Sequence, residues 1–304
     1  MAYLNDYIVV GHLVLDKVVI GGREHRSLGG VATYGAIAVA TYGRRALIVS
    51  KVGEDFPEDY ILLLSRYGVD TRYIKRVKGR TTCYRLVYGD EGERKLYLEA
   101  VTEKILPSDL PQFRFRVAHI GPVYREVPFE TINTIRQMCE LLALDSQGFV
   151  RRVDENGRVY LASWNYAGDV LPMVDFLHTD VNEAKILTGI EEPKRAAEVL
   201  YDMGADVVAI TMGAEGSIVA YEGEVMYVPA AKEERLVDTT GAGDVYTAIF
   251  AIALSEGFEV RRAAAMASSA SSYLVEDYGP KGLVHRERIL MRAFEVEKRI
   301  KRIA

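Results

Sequence analysis

The chain is poor in the features that mark most metal, redox and membrane proteins. Its 304 residues include only two cysteines, Cys83 and Cys139, far apart and without the close spacing of a metal site. Thiols placed this way fit a reducing cytoplasm, the expected setting, although a disulfide between them stays open. No apolar run approaches the roughly 20 residues needed to span a bilayer, and no signal-peptide pattern is present, so no membrane partner is expected. A net charge of -5 gives no general attraction to nucleic acid or anionic lipid. The basic cluster at residues 298–302 reads as the end of a solvated helix. No low-complexity linker or internal repeat divides the chain. No Gly-x-Gly-x-x-Gly follows the first apolar run, which disfavours a dinucleotide-dependent oxidoreductase, and no Gly-Lys-Ser/Thr makes a Walker A loop.

What is present is an alternation. Short apolar runs at 7–11, 46–49, 117–120, 176–178 and 207–210 read as buried strands. Helix-like stretches at 31–42, 129–142 and 193–203 lie between them. Strand–helix alternation predicts an α/β fold, a mainly parallel sheet flanked by helices on both faces. Ligands in such sheets bind beyond the carboxyl ends of the strands. Two segments break the alternation. Residues 17–26 surround Gly21-Gly22, and residues 81–100 alternate around Gly89-Asp90-Glu91-Gly92. Both read as β-hairpins that together make a small projecting sheet. The chain is therefore read as one domain, 1–304, with inserted segments at about 12–28 and 80–100.

The most informative stretch is Asp238-Thr239-Thr240-Gly241-Ala242-Gly243-Asp244, followed directly by an apolar run at 245–254. That order reads as a glycine-rich loop feeding the N-terminus of a buried helix. Such a terminus has unpaired N–H groups and a partial positive charge, which suits an anion. Asp244, in the first turn, can take a proton from an attacking hydroxyl while the amides hold phosphoryl oxygens.

This stretch closely resembles the signature of the ribokinase-like sugar kinases, the PfkB family, and similarity extends from Gly11 to Gly279. The resemblance implies a kinase that uses ATP and Mg²⁺, with Asp244 as general base. The amides of Gly241, Ala242 and Gly243 would stabilise the transferring group, with Thr240 beside them. Asp16, five residues after Gly11, matches the position that binds substrate hydroxyls in the family. Gly29-Gly30 resembles the di-glycine hinge between a lid and the body. Where many members then carry Asn, this chain has Tyr34, which weakens a case for ribose or fructose phosphate.

Asp180-Val181-Asn182-Glu183 resembles the family's Asn-x-x-Glu element, with Leu187-Thr188-Gly189 fixing the register. Asp180 then replaces the usual Asn, and Glu183 is the glutamate that organises water around Mg²⁺. Thr211-Met212-Gly213-Ala214-Glu215-Gly216 looks like the nucleotide loop, implicating Thr211, Gly213 and Gly216. Small residues at 263–274 would then run beside the adenine, though close helix packing explains them equally. The segments 121–128 and 145–151 follow strands and carry Arg125, Gln147 and Arg151, which are expected to face the cleft and contact the substrate. Their sequences are similar to archaeal myo-inositol kinases of the family. The expected partners are thus a small polyol or sugar, myo-inositol foremost, and ATP. A nucleoside kinase, another sugar kinase and a non-catalytic nucleotide- or sugar-sensing module remain as alternatives. Homodimer formation through the projecting sheet is left open.

Overall fold

The computed structural model describes residues 6–20, 23–88 and 94–303. Its centre is a ten-stranded sheet. From one edge to the other the order is Lys301–Arg302, Glu224–Val228, Ser217–Tyr221, Val207–Thr211, Phe176–Asp180, Cys139–Asp145, Phe115–Ile120, Tyr7–Val10, Ala46–Val52 and Asp70–Arg76. From Val207–Thr211 to Asp70–Arg76 all neighbours are parallel; the three strands at the other edge pair antiparallel. This is the α/β fold anticipated from the sequence, a mainly parallel sheet with an apolar core on each face.

The apolar runs became strands because both faces of the sheet are covered. Successive side chains of a strand point to opposite faces. Tyr7 and Val9 accordingly enter one core with Ile37, Phe250 and Met266, from helices Val31–Tyr42, Ala242–Ser255 and Val260–Leu274. Ile8 and Val10 enter the other with Ile132 and Leu200, from helices Phe129–Met138 and Pro193–Asp202. Phe176 and Phe250 stack at 4.2 Å between ring centres, sheet against helix. Each large apolar side chain buried in this way contributes about 1.5–3 kcal/mol.

The hairpins at the two inserted segments form a separate four-stranded sheet in the order Arg23–Gly29, Val14–Ile20, Cys83–Tyr88, Arg94–Ala100. Each hairpin is antiparallel internally, and a parallel pairing of Lys17 with Arg85 and Val19 with Val87 joins them. The predicted tips, Gly21-Gly22 and residues 89–92, lie outside the described residues.

Two expectations need correction. The helix predicted over 129–142 stops at Met138, and Cys139–Asp145 is a strand. Leu and Ala favour helix there, but the slot between two parallel strands buries those side chains on both faces, so tertiary packing overrides local propensity. The terminal basic cluster closes a helix only through its first two residues: Lys298 is the C-cap of Arg286–Glu297 and Arg299 Nε donates to Glu295 O at 3.2 Å, whereas Lys301–Arg302 adds a short edge strand. Among the described residues, no helix is long and apolar enough to cross a membrane.

Candidate active site

The signature loop and helix lie as the sequence suggested. Gly241 is the N-cap of helix Ala242–Ser255, at φ 80° and ψ 3°. That left-handed conformation suits glycine, and a Cβ there would sit 2.3 Å from the Tyr34 ring, so two constraints exclude a side chain. Tyr34, in the family's Asn place, thus packs on the turn itself. The loop is pinned at its entrance, where Val237 N–H donates to Val275 O at 2.8 Å, and internally, where Thr240 N–H donates to Asp238 Oδ1 at 2.9 Å. The helix's first internal bond runs from Val245 N–H to Gly241 O at 2.9 Å. The Ala242 amide turns back to Thr239 O at 3.2 Å, which corrects the expectation that it is free for an anion. Gly243 and Asp244, in the first turn, have no acceptor four residues back within the helix.

In front of this terminus lies a cleft of about 340 Å³. Its walls bring together most of the predicted site residues: Asp16, Gly30, Gln147, Arg151, Glu183, Thr211, Thr240, Gly241, Ala242, Gly243 and Asp244. Asp16 reaches it from the small sheet, on strand Val14–Ile20 rather than in the body. Gly29, opposite it, makes room: a Cβ there would lie 2.1 Å from Asp16 Oδ2. Arg151 donates to Gln147 Oε1 at 2.5 Å and lies over the buried Tyr84 ring, 5.4 Å from its centre. Arg125 does not join them. Its side chain is exposed and lines a different cavity with Lys104, Tyr124 and Phe129, so the expectation that it faces the cleft is not met. Its loop turns outward through a left-handed Arg125, φ 59°, whose amide is held by Gly148 O at 3.0 Å.

The electrostatics separate the acids. Burial, reinforced by Asp145, pushes the Asp244 carboxyl up to about 7. Glu183 is also raised to about 7 by burial, with Asp180 and Asp145 adding to it. Glu183 accepts from Ser146 Oγ at 2.8 Å. Asp180 is the N-cap of helix Val181–Thr188, accepting from Asn182 and Glu183 N–H at 2.8 Å each. The replacement of Asn by Asp at 180 therefore keeps the cap and adds charge, while Asn182 is exposed.

Sequence reasoning missed a buried pair on the cleft floor. His178 Nδ1 lies 3.0 Å from Asp145 Oδ2, and Nε2 lies 3.1 Å from Thr211 Oγ1. The two residues are register partners on adjacent parallel strands. Asp145 was visible only as part of a motif, and His178 only as the end of an apolar run.

A second cavity, about 240 Å³, opens on the other side of the same helix terminus. Thr211, Thr239, Ala242 and Gly243 line both cavities. The rest of its wall is mostly small or apolar, Gly213, Ala214, Gly216, Ala230, Ala231, Leu236 and Val275 among them, with Glu233 and Tyr246 as exceptions. The small-residue helix foreseen beside a base supplies part of this wall, from Val260–Leu274. Among the described residues, no cluster of three or more His, Cys, Asp or Glu forms a metal cage.

The model for pfkB family carbohydrate kinases matches residues 5–285. A cytidine kinase from Thermococcus kodakarensis is 28% identical over 261 residues, covering 83% of this chain and 89% of its own. An inositol 3-kinase from Arabidopsis thaliana is 28% identical over 282 residues, covering 90% of this chain and 74% of its own. Among solved structures, a pyrophosphate-dependent kinase in the ribokinase family, complexed with a pyrophosphate analogue and myo-inositol, superposes with a TM-score of 0.80. It is 26% identical, covering 93% of this chain and 98% of that one.

Proposed function

The chain belongs to the pfkB family of carbohydrate kinases, and on that premise we propose that it transfers the γ-phosphoryl of Mg²⁺-bound ATP to a hydroxyl of a small polyol, myo-inositol foremost. The observation that carries this reading is the position of Asp244. A carboxyl pushed up to about 7 stands in the first turn of the helix and lines a cleft also lined by Asp16, Gln147 and Arg151. A base with a pKa near the working pH is well matched to removing a hydroxyl proton as that oxygen attacks.

Each residue has a defined task in this reading. The Asp16 carboxylate accepts hydrogen bonds from acceptor hydroxyls, while Gln147 and the Arg151 guanidinium donate to hydroxyl oxygens of the acceptor. The amides of Gly243 and Asp244 hold the charge that develops on the transferring group. The small sheet carrying Asp16 closes over the acceptor as a lid, with Gly29-Gly30 at its hinge, and excludes water. Glu183, backed by Asp180, suits the water shell of Mg²⁺, an ion that keeps several waters and takes its other ligands from phosphates. When bound, Mg²⁺ would neutralise charge on the donor phosphates.

The second cavity favours a nucleotide donor. Pyrophosphate needs no apolar slot, whereas a nucleoside does, and the small-residue wall next to the anion cradle fits one. Gly213 and Gly216 border that slot, with Thr211 at its entrance. A nucleoside acceptor is the second reading. The aromatic and apolar wall of the cleft, Tyr34, Tyr84, Leu86 and Leu96, favours it, as does the likeness to a cytidine kinase.

The deciding experiment is acceptor-dependent release of ADP or phosphate from ATP and from pyrophosphate. The acceptors would be myo-inositol, ribose, fructose 6-phosphate, 2-keto-3-deoxygluconate, adenosine and cytidine, with Asp244→Asn as control. Turnover on myo-inositol with ATP, lost in the variant, is the expected result. Turnover on cytidine alone would replace the acceptor and keep the base. ATP binding without turnover on any acceptor would mark a sensing module.

A further inference from the structure

The buried pair on the cleft floor has a geometry that neither the base nor the acceptor contacts require. Asp145 and His178 are each at most 4% exposed, and both line the cleft. An ionised carboxylate only accepts, so the Nδ1 that faces Asp145 Oδ2 at 3.0 Å carries a proton. That leaves Nε2, 3.1 Å from Thr211 Oγ1, as the atom whose state varies. When Nε2 is protonated it donates to the Thr211 oxygen, and the hydroxyl proton must point away from the ring. When Nε2 is bare it accepts that same proton and turns the hydroxyl inward. Thr211 is among the few residues that line both cavities, at the junction where a donor's phosphates would pass between base slot and acceptor. The imidazole is itself fixed close beneath the cradle: a Cβ on Gly243 would meet its Cε1 at 3.1 Å.

We infer that Asp145, His178 and Thr211 form a hydrogen-bond relay that aims the Thr211 hydroxyl at the phosphates of the donor, with Asp145 and His178 as positioning residues. The relay rests on the donor reading above and extends it to a pH-dependent control of donor binding. The surroundings favour the aimed state. Burial opposes charge on His178, but Asp145 in contact and Glu183 and Asp180 on the neighbouring helix outweigh it and raise its pKa. Asp244 on the signature helix, raised to about 7, adds to the negative field only once ionised, and Thr247 from the same helix donates to Asp145 Oδ2 at 3.4 Å. Tyr246 lies tilted beside the ring, 5.7 Å between centres. His119, behind Asp145, stays neutral because burial lowers its pKa to about 4. The Thr211 hydroxyl therefore faces the donor below the His178 pKa and turns away above it.

The test measures binding, so it is independent of turnover. Calorimetric titration with Mg²⁺–AMP-PNP, and separately with Mg²⁺–imidodiphosphate, is run from about pH 6 to about pH 9, the span over which a raised histidine titrates. Ionisation of the probe itself cancels when each protein is read against Thr211→Val. Wild type should bind about tenfold more tightly than Thr211→Val at the acid end, the worth of one hydrogen bond to a charged group, and equally at the alkaline end. Thr211→Ser should restore the wild-type profile. His178→Gln should flatten it, and Asp145→Asn should move its midpoint down by about one pH unit or more. Long-range ¹H–¹⁵N spectra should show Nδ1 of His178 protonated throughout and Nε2 losing its proton at the same midpoint. A purely structural role for the pair would lower Tm in the variants while leaving the profile of each like wild type, and that outcome overturns the relay. Binding of a probe with no pH dependence beyond that of Thr211→Val overturns the relay and leaves the kinase reading standing. Failure of wild type to bind either probe overturns both.

Discussion

Two cavities meet at the N-terminus of one helix, and they are built on opposite principles. The cleft on the acceptor side is lined by ionisable groups, Asp16, Asp145, Arg151, His178, Asp180, Glu183 and Asp244. The second cavity, read as the donor slot, is lined mainly by glycine, alanine, serine and aliphatic side chains, with Glu233 as its one ionisable carboxyl. The first can recognise hydroxyls and move a proton; the second can accept a flat apolar group and little else. Their shared wall, Thr211, Thr239, Ala242 and Gly243, is where a phosphoryl group would pass from one to the other. On the proposed reading, the acceptor and the donor would occupy opposite sides of a single glycine-rich turn.

That division can be broken one side at a time. The largest effect is expected from Asp244→Asn, which should lower kcat by roughly 10²–10⁴-fold, the range for loss of a general base, while AMP-PNP affinity stays near wild type. Equal loss of nucleotide binding would mean that the carboxylate shapes the cradle rather than acting as base. Asp16→Ala should raise the acceptor KM by about 10- to 100-fold, as expected for lost hydrogen bonds to a charged group, and leave the KM for ATP unchanged. A parallel rise for ATP would show that the two sides are not separable. Ala230→Phe, on the slot wall, should raise the ATP KM about tenfold without affecting the acceptor, because overpacking costs about 1–3 kcal/mol. An unchanged ATP KM would remove the slot from donor binding.

The pH profile sharpens the same contrast. With the Asp244 pKa raised to about 7, kcat/KM for the acceptor should fall about tenfold per pH unit below that value, since the base is then protonated. A flat profile down to about pH 5 would contradict that raised pKa.

The smallest effect concerns stability. A carboxyl whose pKa is raised on folding binds its proton more tightly in the native state, so its contribution to stability is full below the unfolded pKa and is lost as pH rises through the folded one. Asp244→Asn should therefore raise stability at about pH 8 by roughly 1–3 kcal/mol, allowing for partial solvent screening, and have little effect at about pH 4. Thermal melts of the two proteins at both pH values would check this, and an equal Tm difference at each would refute it.

The parallel strands and the signature turn were legible because local pattern and global fold agree there. The run at 7–10 is apolar on both faces because both faces are covered. Glycine at 241 is required by a backbone angle that the loop itself imposes. The strand Cys139–Asp145 was lost inside a helix reading because its burial comes from neighbours far away in sequence. The antiparallel edge strands Ser217–Tyr221 and Glu224–Val228 went unassigned, and Arg125 was assigned to the wrong side of its loop. The Asp145–His178 contact could not be read at all. It exists only because two parallel strands align in register, and a single sequence contains no record of register between strands.

The small sheet has a consequence for how the chain acquires activity. Its halves are joined by the pairing of Lys17–Val19 with Arg85–Val87, and the body strand Ala46–Val52 lies between them in sequence. Closing so long a loop is slow, and little contact is gained until the body is in place. The lining of the second cavity, the proposed donor slot, comes from residues 211–275 and includes nothing from the small sheet. During refolding, nucleotide binding should accordingly return before acceptor-dependent turnover, so that a freshly synthesised molecule holds its donor before it can recognise what to phosphorylate.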